Sequence, residues 1–150
     1  VLTDNRVLVF DDGREAVFCS RSDGLAFDMF RKAAVPVLIL SKERNNVVVA
    51  RGQKLGVPVL HGADNKSVVL RNFCAERSIE LSRVMFVGND LNDLGVLGLV
   101  GHAVCPADSH PLVLAACRVH LKSRGGWGVA REVAEELLGL SYPDEGAVAG

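Results

Sequence analysis

The chain has no excess of charge: 17 Lys and Arg stand against 18 Asp and Glu, for a formal net charge of −1. That balance removes the electrostatic argument for nucleic acid or an anionic membrane surface as a partner. Long apolar runs are missing too. "VPVLIL" is the longest, far below the roughly 20 residues that a membrane-spanning helix needs, and no signal peptide is read in front of it. C-x-x-C pairs are also lacking, since Cys19, Cys74, Cys105 and Cys117 are scattered. Scattered cysteines in a chain of this size imply reduced, mostly buried thiols and a cytoplasmic setting. There is no internal repeat and no sign of a second domain; 150 residues can bury one sizeable core.

What the sequence does contain is alternation. "RVLVF" and "EAVFCS" flank the turn "DDGR", which predicts a hairpin over residues 6–20 with Gly13 at positive φ. "DGLAFDMFRKAA" carries Leu25, Met29 and Lys32-Ala33 at helical spacing, with Asp23 as its expected N-cap. "VPVLILS", "VPVLHG" and "RVMFVG" read as strands buried on both faces, and "HAVC" as a fourth. Between and after them lie helical segments: "NNVVVARGQKLG" stopped by Gly56, "NKSVVLRNFCAERS" capped by Asn65, "DLGVLGLVG", "SHPLVLAACR" with its early proline, and "GVAREVAEELLG" closed by Gly139. The expected fold is α/β, a Rossmann-like parallel sheet with flanking helices and an N-terminal hairpin over residues 1–140, with 141–150 as a flexible tail. No strand precedes the hairpin. The first strand of the sheet is therefore read as missing, which would leave an unpaired edge within the core.

Three strand ends carry chemistry, as the carboxyl ends of parallel strands should. Ser41 follows "VLIL" where a helix is expected to open, so it is either part of an anion site or simply a cap. Lys66 begins a helix, where a cation opposes the dipole; it is either a required charge or a solvated lysine. "NDLND" supplies Asn89, Asp90, Asn92 and Asp93, which are either oxygen ligands for a hard cation such as Mg²⁺ or a loop and cap cluster.

Taken in order, these three strand ends resemble the haloacid dehalogenase superfamily of phosphotransferases. "VLTD", "RSDGLAF", "LILSKERNNVVVARGQKLGVPVLHGADNK", "VGNDLNDL" and "SRGGWGVAREVAEELL" narrow the resemblance to its capless sugar-acid phosphatases. These act on 3-deoxy-octulosonate 8-phosphate or on nonulosonate (sialic acid type) 9-phosphates, and a related module forms the C-terminal domain of CMP-sialate synthetases. Ser41-x-Glu43 and Lys54 place the chain on the nonulosonate side; eleven residues at about 100° each would bring Glu43 and Lys54 to one helix face.

The resemblance implies Lys66, Ser41 and Asp93 as catalytic residues. It implies Arg21, Asp23, Gly24, Glu43, Arg44 and Lys54 as substrate-binding residues, and Asn89 or Asp90 as ligands of a Mg²⁺ cofactor. Asn89 stands where the family usually has an Asp, so it brings no charge. The family phrase is "DxDGVLTD", so the nucleophilic Asp of an aspartyl-phosphate mechanism is expected upstream of Val1, and the chain beginning at Val1 is expected to be inactive by itself. It further implies a homotetramer built on the 6–20 hairpin, and a fused or associated cytidylyltransferase domain as a possible partner. A rival from another class is a non-catalytic tetramerisation domain of a CMP-sialate synthetase. A response-regulator receiver domain has the same topology but predicts a paired acidic cluster near the N-terminus and no hairpin.

Overall fold

The computed structural model describes residues 1–142; most of the tail expected at 141–150 lies outside the described residues. The chain folds as an α/β protein. Strands β1 (Leu8–Val9) and β2 (Glu15–Ala16) pair antiparallel, Leu8 against Ala16, around a turn in which Gly13 has φ of 82°. Helix α1 (Arg21–Lys32) follows, then β3 (Ile39–Leu40), α2 (Asn46–Leu55), β4 (Val59–Leu60) and α3 (Lys66–Glu76). A 3₁₀ turn (Leu81–Arg83) leads to β5 (Met85–Val87), and a second (Leu91–Asp93) leads to α4 (Leu94–Leu97). β6 (His102–Cys105), α5 (Pro111–Ala116), β7 (Val119–His120) and α6 (Val129–Glu132) complete the order, α6 running on as a π turn over Val133–Leu137.

All pairings after the hairpin are parallel, as strand–helix alternation requires. They fall into two pieces, β3–β4 and β5–β6–β7, with no ladder joining β3 to β5 among the described residues. Both pieces nevertheless pack on the same core. Val1, Leu2, Ile39, Met85 and Val87 all lie against a cluster built from Ala26, Phe27, Met29 and Phe30 of α1 and Val129, Ala130, Val133 and Ala134 of the last helix. No helix is long and apolar enough to cross a membrane, and three of the four free cysteines are buried.

Four local expectations change. The α1 helix begins two residues earlier, with Ser20 rather than Asp23 as its N-cap: Ser20 accepts from the Ser22 N–H. Its buried face carries Asp23, Ala26, Phe27, Met29 and Phe30, leaving Leu25 exposed. β3, β4 and β5 are half-buried rather than covered on both faces. β7 was not anticipated, because "RVHLK" is short and bounded by charge. Asn65, Gly56 (φ 67°) and Pro111 act as cap, stop and first-turn residue as expected.

Candidate active site

The site is assembled at the carboxyl ends of β4, β5 and β6. Lys66 is the first residue of α3, and its Nζ lies 2.6 Å from Asp93 Oδ1 in a pair that is almost fully buried (side chains 11% and 4% exposed). The other oxygen of Asp93 accepts the backbone N–H groups of Asn89 (2.9 Å) and Asp90 (3.3 Å), so one carboxylate ties the lysine to the loop after β5. Gly88 makes this possible: a Cβ there would fall 2.7 Å from the Asp93 Cβ. Asp90 caps the 3₁₀ turn through Leu91 N–H at 2.7 Å, and Asn89 O accepts from His110 N–H, which links the loop to the start of α5.

A cavity of about 220 Å³ opens beside this loop, lined by Thr3, Asp4, Asn5, Asn89, Asp90, Asp108, His110 and Gly125. Asp4 is held by Arg6 at 2.6 Å, and Asp108 accepts the Gly125 N–H at 2.8 Å. Val1 is half-buried nearby, and its carbonyl accepts from Gly126 N–H at 2.8 Å. Asn89, Asp90, Asp4 and Asp108 are hard oxygen donors. Among the described residues no three His, Cys, Asp or Glu converge on one point. Mg²⁺ commonly takes one or two carboxylates and completes its shell with water and substrate phosphate, so these residues fit it as a partial ligand set. The carboxylate-lined wall also disfavours an anionic phosphate unless a cation lies between them.

The expected site residues thus divide. Lys66, Asp93, Asn89 and Asp90 come together. Ser41 directly follows β3 but neither caps nor opens α2, because Asn45 is the cap; Ser41 Oγ accepts instead from Glu43 N–H at 3.1 Å. Glu43 precedes α2, so helical periodicity does not relate it to Lys54, and both are exposed. Arg44 pairs with Asp64 at the surface. Arg21 is exposed and Gly24 open, whereas Asp23 is fully buried, with its Oδ1 accepting from Ala130 and Arg131 N–H. Burial pushes the Asp23 carboxyl above its usual range, against those hydrogen bonds and the charge of Arg51. Within "RGGWG", Gly125 and Gly126 come close to the chain's own Thr3–Asp4 backbone. Asp108, His110 and Thr3 were missed. The signal for Asp108 and His110 was "PADSH", a polar stretch directly after the β6 strand end; Thr3 lies in "VLTD".

A family model for haloacid dehalogenase-like hydrolases matches residues 38–133, which span β3 to the last helix. The chain belongs to this family. The 3-deoxy-D-manno-octulosonate 8-phosphate phosphatase KdsC of Escherichia coli K12 is 30% identical over 92% of this chain and 74% of its own length. N-acylneuraminate cytidylyltransferase A of Danio rerio is 28% identical over 91% of this chain, which spans only 32% of that longer protein. Among solved structures, a HAD-family hydrolase of Streptomyces avermitilis has a TM-score of 0.89 at 47% identity, covering 92% of this chain and 79% of that one. The Moraxella catarrhalis octulosonate 8-phosphate phosphatase, solved with magnesium, phosphate and KDO, has a TM-score of 0.88 at 25% identity, covering 93% and 80%. In this hydrolase the Lys66–Asp93 pair falls inside the matched segment, as do Ser41, Asn89 and Asp90.

Proposed function

We propose that the protein is a Mg²⁺-dependent phosphatase of a sugar-acid phosphate, preferring a nonulosonate 9-phosphate. The observation that carries this reading is the buried Lys66–Asp93 pair beside an oxygen-lined cavity at the strand ends. A bound Mg²⁺ would neutralise charge on the phosphoryl oxygens. Lys66, held by Asp93, presents a fixed cation to the same oxygens, and Ser41 offers a hydroxyl and a nearby backbone N–H. Asn89 and Asp90 would hold the metal from the β5 loop. The nucleophile is an Asp upstream of Val1 that attacks phosphorus while the ester P–O bond breaks. A second acid there protonates the leaving alkoxide, then activates the water that hydrolyses the aspartyl-phosphate.

Two structural features support an upstream strand. β3 and β5 flank one core without pairing among the described residues, and Val1 packs half-buried on that core with its carbonyl accepting from Gly126 N–H. The exposed hairpin, with Phe18 78% and Val9 61% exposed, supports assembly into a homotetramer. Four free cysteines support a cytoplasmic setting. Ser41-x-Glu43 is the remaining ground for the nonulosonate substrate, while the KdsC relatives favour octulosonate 8-phosphate as the competing one. The cytidylyltransferase relative favours a second reading, a non-catalytic assembly domain of a longer synthetase.

The test measures phosphate release from both sugar-acid phosphates with Mg²⁺, using the protein with the sequence preceding Val1. Turnover is expected for it, and neither for its Lys66→Ala variant nor for the chain beginning at Val1. Turnover by the chain beginning at Val1 would refute the upstream nucleophile; none by the longer protein would leave the assembly reading.

A further inference from the structure

Asp23 has an arrangement that its supposed place at the substrate entrance does not explain. It is 0% exposed, so it touches no ligand from solvent. Its Oδ1 accepts from Ala130 N–H (2.8 Å) and Arg131 N–H (3.2 Å), more than a hundred residues away, at the start of α6. Its Oδ2 is buried with no hydrogen-bond partner among the described residues, and so is Arg51 Nε. A half-satisfied buried carboxylate costs stability, so its retention calls for a reason.

That reason lies in the segment just before α6. Gly128, at φ 90°, turns the chain from the Arg124–Trp127 loop into the helix. In that loop Gly125 N–H donates to Asp108 Oδ1 at 2.8 Å, and Gly126 N–H to Val1 O at 2.8 Å. Both glycines press on the cavity wall: a Cβ at Gly126 would fall 2.5 Å from Asp4 N, and one at Gly125 would fall 2.9 Å from Thr3 O. The loop is gripped at its other end too, where Glu132 accepts from Lys122 (2.8 Å) and Ser123 (2.7 Å) N–H groups.

We propose that Asp23 is a positioning residue for the active site: by capping α6 from outside that helix it clamps the Gly125–Gly128 loop against Thr3, Asp4 and Asp108. It acts through the loop and contacts no substrate. Its effect on turnover rests on the phosphatase reading above; its effect on the loop does not.

The experiment follows hydrogen–deuterium exchange of backbone amides in the full-length protein. Asp23→Ala is expected to speed exchange about tenfold at Ala130 and Arg131 and also at Gly125 and Gly126, whose own partners are untouched, with Val104 in the core unchanged. Asp23→Asn keeps an acceptor oxygen but loses the charge. It is expected to speed Gly125 and Gly126 about threefold, and it serves alone if Asp23→Ala does not fold. Faster exchange confined to Ala130 and Arg131 means a local cap and overturns the proposal. In the phosphate-release assay kcat/KM is expected to fall in the same order, wild type, Asp23→Asn, Asp23→Ala. A wild-type protein that releases no phosphate defeats the phosphatase reading and leaves the exchange data to decide Asp23.

Discussion

One carboxylate organises the centre of this site. Asp93 holds the Lys66 ammonium with one oxygen and two loop amides with the other, all inside the protein. Breaking such a pair from either side leaves an uncompensated buried charge, but the two sides are not equivalent. Lys66→Met is expected to lower the unfolding free energy by about 3 kcal/mol. Asp93→Leu is expected to cost roughly 2 kcal/mol more, because the Asn89 and Asp90 N–H groups lose their acceptor as well. Urea denaturation of the two variants gives the order. A larger loss for Lys66→Met would mean that the loop amides find other partners. Cys117 lies at the opposite extreme: burial pushes its thiol up to about 12, with Cys105 beside it adding to the rise, which disfavours the nucleophilic thiolate.

At the scale of elements, the start of α6 and the loop before it are held by two carboxylates with opposite responses to pH. Burial raises Glu132, but hydrogen bonds from Ser123 and Lys122 outweigh it and bring the carboxyl below its ordinary value of 4.5. A lowered folded value means stability that is present above the ordinary value and lost as pH falls through the lowered one. Glu132→Gln is accordingly expected to lose about 1.5 kcal/mol at pH 7, with the gap closing as pH falls below the ordinary carboxylate range. Thermal melts across that range would show it; a gap independent of pH would mean that charge is not what Glu132 supplies. Asp23 has the opposite sign. Its raised folded value favours the fold below the ordinary carboxylate range, and that contribution fades as pH rises. One clamp strengthens toward neutral pH where the other is strained by its charge.

Across the whole molecule, the feature that stands apart is the hairpin. Two-residue strands with Val7, Leu8, Val9, Phe10 and Phe18 exposed bury little against their own chain, and a two-stranded hairpin is marginal in water. The proposed tetramer would cover these side chains. Light scattering of the full-length protein is expected to give four times the monomer mass, and Val9→Lys with Phe18→Lys a lower one. A monomeric wild type would end the tetramer proposal.

How much of this was legible beforehand follows from the range of each interaction. Element order apart from β7, the Asn65 cap, the Gly56 stop and the Gly13 turn could be read directly, because periodicity, capping and backbone handedness act over a few neighbouring residues. Lys66 and Asp93 were each recognisable as site residues from their strand ends and the family resemblance, but their pairing was not. Ser41 and Glu43 misled, since the helix they were placed on starts later, at Asn46. Residue type and local periodicity already assign which side chains could do chemistry and most of the elements they sit on. Packing of the finished elements is what turns Asp23 inward to cap a helix 107 residues away and closes the cavity around Thr3 and Asp4 with Asp108 and Gly125. Those contacts depend on how finished elements pack, and no local pattern encodes the distance between them.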